Sequence, residues 1–243
     1  MENKNNENFV LINESDLTDK HQEKLEKAQE DVIIRLSEII EIHSQETGHH
    51  IQYVSEYTRV LGKAYGLSPK QVNYLAVASL AHDVGKISIP NSVLLKKEPL
   101  TNDEWSLLRS HCEIGYNFFK NFNLELFNTA AIVAHEHHER WDGSGYPRGL
   151  KGKDIHIFGR IVAIVDVFDA LGSDRCYKRA WNNEDIFSFF RNESEKHFDP
   201  ELVELFFKHK EEFLELQSQF NKKNSLEEYN SFIELNTLIM AKK

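Results

Sequence analysis

The run Ile161-Val-Ala-Ile-Val-Asp-Val-Phe168 constrains the fold more than any other stretch of this chain. It is the longest apolar segment, and one carboxylate, Asp166, interrupts it. It is too short to span a bilayer, which takes about 20 apolar residues, so it belongs in a protein core. Over Ile157 to Leu171 its length favours a helix over a buried strand. A carboxylate buried there is costly unless it is paired or coordinated. Asp166 therefore predicts partners elsewhere in the chain.

The surrounding pattern is helical throughout. Only five prolines and eleven glycines punctuate 243 residues, and no hairpin signal, internal repeat or Ser/Gly linker is present. Residues 1–16 read as a loose polar arm, and Leu17 to His43 as a lead-in helix that grows apolar along its length. A helix follows over Gly48 to Gly66, with Ile51, Val54, Thr58, Leu61 and Tyr65 at spacings of three and four. Ser68-Pro69-Lys70-Gln71 and Thr101-Asn102-Asp103-Glu104 are capping boxes that start two further helices. The first is expected to end on His82-Asp83, where Gly85 breaks it. The second is expected to run through Trp105, Leu108, His111 and Phe119. More helices are expected over Glu125–Arg140, Asn183–Asn192 and Pro200–Phe220, with a last one from Ser225 to Met240. The expected fold class is all-α, with extra N- and C-terminal helices: an arm and lead-in over 1–45, a catalytic unit over 46–210 and a helical extension over 211–243.

Ligand-type residues recur at the ends of these helices. Glu46 and His50 are one turn apart, His82 and Asp83 are adjacent, and His111 sits in the next helix. His135, His137 and His138 fall within four residues, ahead of Gly143-Ser144-Gly145-Tyr146-Pro147. Imidazoles at that density are hard to bury unless their nitrogens are satisfied, and metal coordination satisfies them. Histidine with carboxylate and no cysteine ligand suits Fe, Mn or Zn. The count exceeds the three or four ligands of one ordinary zinc site, which points to two or more metals, as in clamps for in-line displacement at phosphorus.

The net charge of −10 argues against long nucleic acids, whose binding relies on Lys and Arg. From Glu139 to Ala180, eight Lys or Arg stand against six Asp or Glu. That locally basic stretch suits a small anion. The two cysteines, Cys112 and Cys176, show no ligand spacing or disulfide framework and fit free thiols in a reducing compartment. With no apolar signal core at the N-terminus, a cytoplasmic protein without membrane insertion is expected.

His82-Asp83-Val84-Gly85-Lys86-Ile87 together with His137-His138-Glu139-Arg140-Trp141-Asp142-Gly143-Ser144-Gly145-Tyr146-Pro147 closely resembles the HD-GYP family of metal-dependent phosphohydrolases. The resemblance runs from about Glu46 to Phe206 and takes in Asp166-Val167-Phe168-Asp169, Ser173-Asp174-Arg175 with Tyr177-Lys178, and His197-Phe198-Asp199-Pro200. It implies a helical HD-domain bundle that hydrolyses cyclic di-GMP with two or three divalent metal ions, Fe or Mn being expected. The implied metal ligands are His50, His82, Asp83, His111, His137, His138 and Asp166, with Glu46 for a third metal. Asp83 and Lys86 are the implied catalytic residues, and Lys86, Gly145, Tyr146, Arg175 and Lys178 the implied substrate contacts. His49 and His135 lie beside the ligand positions and read as supporting or surface residues. Asn91, Lys96-Lys97-Glu98-Pro99 and Cys176 depart from the family pattern, none at a metal position. The alternatives are a non-catalytic cyclic di-GMP receptor or adaptor using the same pocket, and a phosphohydrolase acting on another cyclic dinucleotide. The terminal helices could mediate a homodimer or dock a partner, with packing onto the domain favoured.

Overall fold

The computed structural model describes residues 14–44, 50–173, 179–220 and 222. Among these the only β-type pairing is an isolated bridge between Ser194 and Phe198, so the fold is all-α, as expected. Glu46, His49, Arg175, Cys176, Lys178 and the expected helix from Ser225 to Met240 lie outside the described residues.

The helices begin where local chemistry dictates. A long α1 (Glu14–Ser44) leads into α2 (His50–Tyr65). Gly66 follows α2 at a φ of +94°, a left-handed conformation that glycine adopts without strain. The Ser68 hydroxyl accepts from the Gln71 N–H and the Gln71 side chain accepts from the Ser68 N–H, so both halves of the capping box open α3 (Pro69–Ser79). Thr101 and Glu104 do the same for α5 (Asn102–Arg109), after a short α4 (Asn91–Leu94). The remaining helices are α6 (His111–Phe119), α7 (Glu125–Glu136), α8 (Ile157–Gly172), α9 (Asn183–Glu193), α10 (Pro200–Lys208) and α11, residues 210–220.

Four expected boundaries differ, and the first three bear on the site. α3 stops at Ser79, so His82 and Asp83 sit in turns ahead of a 3-10 segment, Val84–Ser88. The helix expected to run from Thr101 through Phe119 is divided at Ser110 into α5 and α6, which puts His111 at a helix start. α7 ends at Glu136 and not at Arg140, leaving His137 as its C-cap and His138 just beyond. The long helix expected to Phe220 is likewise interrupted, at His209.

Helix α8 forms the centre of the core. Ile161, Val162, Ile164, Val165 and Phe168 are completely buried, with Tyr57, Phe190, Phe206 and Phe213 around the Phe168 ring. Burying a side chain of this kind contributes about 1.5–3 kcal/mol. On the other side of the core α3 packs on α7, and α6 packs on both α7 and the 3-10 segment. Ile33 and Ile40 join α1 to the same core. No helix among the described residues is long and apolar enough to cross a membrane.

Candidate metal centre

Gly85 explains how the centre is assembled. A Cβ built there would lie 2.0 Å from the His111 carbonyl oxygen, so only glycine lets the 3-10 segment rest on the start of α6. That contact sets Asp83 beside His111. The crossing of α7 with α8 is equally close: a Cβ on Gly159 would lie 2.6 Å from Glu136 Cβ. Together these approaches bring the end of α7, the start of α6, the turn after α3 and the middle of α8 to one point.

Two groups of ligand atoms meet there. His50, His82 and Asp166 form one, and His111, His137, His138 and Cys112 the other, with the donor atoms of each group lying within 4.8 Å of one another. Asp83 stands between them. Its Oδ2 is 3.3 Å from His82 Nε2, while its Oδ1 is 3.3 Å from His111 Nε2 and 3.8 Å from His137 Nε2. Asp166 Oδ1 lies 3.6 Å from His50 Nε2 and 3.8 Å from His82 Nε2.

The histidines are oriented from behind. Nδ1 of His82 bonds the Ser79 carbonyl at 2.7 Å, that of His111 the Leu108 carbonyl at 2.7 Å, and that of His137 the Val133 carbonyl at 3.0 Å. A carbonyl only accepts, so each Nδ1 carries the proton and each Nε2 faces the centre. His50 Nδ1 instead meets Asp169 Oδ2 at 2.5 Å. The Nε2 atoms of His111 and His137, both lone-pair donors in this tautomer, face each other at 3.4 Å. His82 Nε2 and Asp83 Oδ1 are buried with no hydrogen-bond partner. Buried polar atoms are rarely left unmatched, and a cation supplies what these atoms lack.

The electrostatics favour the same reading. Burial, reinforced by the neighbouring imidazoles, pushes His137 well below the ordinary range and His138 down to about 3, so both present free lone pairs. Burial lowers His111 as well. Burial alone would raise Asp83, but Lys86 and then His82 outweigh it and hold the carboxyl well below its usual value. Against the opposing effect of burial, Asp83 and Asp166 raise His82 to about 9. The negative charge of the same two carboxylates favours a cation beside His82.

Around this centre, Lys86 Nζ lies 2.5 Å from Asp83 Oδ2. The loop after α7 is tied down by Glu139, which accepts from the Arg148 and Leu150 N–H groups at 2.8 and 2.9 Å. Glu136 accepts from the His156 N–H at 2.6 Å and from the Arg148 guanidinium. The loop sets the Tyr146 ring 4.8 Å from His138 and 6.5 Å from His111. Gly145, expected among the substrate contacts, is packed against its own chain: a Cβ there would lie 2.3 Å from Arg140 N. His135 faces away from the centre, paired with Glu113 at 2.8 Å and stacked on Tyr116.

Sequence reasoning missed two neighbours. Asp169 holds His50, and its spacing of three from Asp166 inside an apolar helix was the available signal. Cys112 Sγ lies 3.4 Å from His111 Nε2, and burial pushes this free thiol's pKa up. Nothing in its spacing marks it.

The HD domain family matches residues 35–202. A "3'3'-cGAMP-specific phosphodiesterase 2" of Vibrio cholerae is 41% identical over 80% of this chain and 37% of that protein. The cyclic di-GMP phosphodiesterase response regulator RpfG of Xanthomonas campestris is 35% identical over 82% of this chain and 52% of its own length. For a cyclic di-GMP phosphodiesterase of Thermotoga maritima the values are 37%, 82% and 55%. The chain thus spans about half, or less, of the length of these relatives. Among solved structures, a cyclic GMP-AMP specific phosphodiesterase of V. cholerae superposes with a TM-score of 0.60 at 21% identity, over 76% of this chain and 50% of that one. At that identity the likeness shows a shared fold.

Proposed function

The chain belongs to the HD-domain family, in its HD-GYP branch, and we propose that it is a metal-dependent phosphodiesterase that hydrolyses cyclic di-GMP. The observation that carries this reading is the position of Asp83: one carboxylate between two imidazole-rich groups, with Oδ1 unmatched and buried. The donor set fits divalent metal. It consists of imidazole nitrogens locked in the ligating tautomer and carboxylates, the composition that suits Fe or Mn. His50, His82 and Asp166 would hold one ion, His111, His137 and His138 a second, and Asp83 would bridge them. Glu46 would contribute to a third. When bound, such ions polarise a phosphoryl oxygen and acidify a water to near neutral pH.

The chain's own groups orient and neutralise. Lys86, fixed against Asp83, is placed to offset charge that develops on the non-bridging phosphoryl oxygens during in-line displacement. Water's oxygen bonds to phosphorus, the ester oxygen leaves with a proton, and the ring opens to the linear dinucleotide pGpG, which is the end product unless a second cleavage of the same kind carries it on to GMP. Tyr146 lines the approach. Arg175 and Lys178 are assigned to the second phosphate on the family resemblance, where they supply orientation. Catalysis is assigned to residues 46–210. A homodimer through α1 is supported by Leu25, Val32 and Ile39, which recur every seventh residue on its exposed face. Sedimentation of Val32→Glu against wild type tests it.

The names of the relatives carry both cyclic di-GMP and 3'3'-cGAMP, so the second dinucleotide is the alternative substrate. The test pairs elemental analysis of anaerobically purified protein with product assays on both nucleotides. Two or more metals per chain and a linear or mononucleotide product are expected, and Asp83→Ala should lose metal and turnover together. Metal-loaded protein that binds cyclic di-GMP tightly and leaves it intact would establish a receptor instead.

A further inference from the structure

Helix α5 has no buried residue, yet it carries an indole and a guanidinium to the edge of the centre. Trp105 is 45% exposed. Arg109, one turn on and also exposed, has its guanidinium 5.8 Å from the Trp105 ring and 5.1 Å from the Tyr146 ring. Tyr146 in turn lies against His138. The cation is thus one aromatic ring removed from the ligand cluster, and no carboxylate among the described residues is paired with it.

We infer that Arg109, held between Trp105 and Tyr146, reads the Hoogsteen edge of a guanine in the substrate and makes this enzyme prefer guanine over adenine. The guanidinium carbon lies over both aromatic rings, and with no carboxylate among the described residues paired to it, its N–H groups are left to a ligand. That edge matches the paired N7 and O6 acceptors of guanine. Adenine places an amino donor where guanine has O6, so donor meets donor. A phosphate would also accept from the edge, but the exposed indole beside it favours a flat apolar base over a hydrated anion. The inference rests on the phosphodiesterase reading, which supplies a nucleotide whose scissile phosphate lies at the metals.

The experiment compares metal-loaded wild type with Arg109→Gln on cyclic di-GMP, 3'3'-cGAMP and cyclic di-AMP, measuring kcat/KM and equilibrium binding. Arg109 is solvent-exposed, so the variant should fold, which its thermal unfolding checks. Glutamine loses the guanine pair and gains the adenine one. Cyclic di-GMP should therefore weaken about 10- to 100-fold, mainly in KM, while cyclic di-AMP holds or improves. An equal loss on all three nucleotides would mean a phosphate contact and overturn base reading, as would no change on any. If wild type cleaves none of them, the phosphodiesterase reading fails, and the binding ratios alone decide the guanine preference. Absence of binding overturns both.

Discussion

Replacing Asp169 by alanine should release metal from the His50 side of the centre while leaving every proposed ligand in place. Asp169 Oδ2 accepts from His50 Nδ1, with both side chains at least nine-tenths buried, and Asp169 Oδ1 is within 3.4 Å of the Ser173 hydroxyl. Alanine leaves the Nδ1–H of a buried imidazole without its acceptor, which costs about 1–3 kcal/mol. It also removes a negative charge that makes Nε2 a better donor to a metal. At tenfold per 1.36 kcal/mol, metal binding should weaken about 10- to 100-fold, the usual scale for losing a partner behind a ligating histidine. Asparagine keeps an oxygen acceptor and loses only the charge, so its effect should fall between wild type and alanine. Loaded proteins are dialysed against graded chelator and metal per chain is counted, with thermal unfolding of each metal-free form as the control for global damage. If Asp169→Ala retains metal at the same chelator concentration as wild type, the orientation argument for His50 is wrong.

Three further perturbations probe the frame. Asp199 is buried, pairs with the Arg160 guanidinium and caps α10 through the Glu201 N–H at 2.9 Å. Asp199→Ala should cost about 3–5 kcal/mol by leaving Arg160 unpaired, visible as a lower urea midpoint, and Arg160→Met added to it should recover part of the loss. His197, stacked on Phe198, is held down to about 4 by burial first and then by Arg140. The unfolded chain takes up this proton below pH 6.5 and the folded chain only near 4. Stability from this group is therefore complete above pH 6.5 and falls by about 3 kcal/mol as pH drops to 4, a slope that His197→Gln should flatten in unfolding titrations of the metal-loaded protein. Gly85→Ala forces a Cβ into the His111 carbonyl, so it should lower both metal content and unfolding temperature. A fully loaded, wild-type-stable Gly85→Ala protein would contradict the close approach.

The helix starts were readable in the sequence because capping is local: Ser68 with Gln71 and Thr101 with Glu104 satisfy each other's backbone within four residues. The apolar run around Asp166 announced both a core helix and a carboxylate needing partners, for the same reason of short-range chemistry. The proposed ligand types were legible too, although Glu46, Arg175 and Lys178 lie outside the described residues. Tertiary structure decided the rest. The break at Ser110 and the end of α7 at Glu136, which put His111 and His137 at helix ends, are not encoded in local propensity. Gly85 reads locally as a helix breaker; its closer reason is a contact with a carbonyl 26 positions away. Only packing could bring Asp169 behind His50, Cys112 beside His111 and Arg109 over Tyr146. The separation of Asp83's two oxygens between two histidine groups is a consequence of four chain segments converging, and no spacing along one segment specifies it.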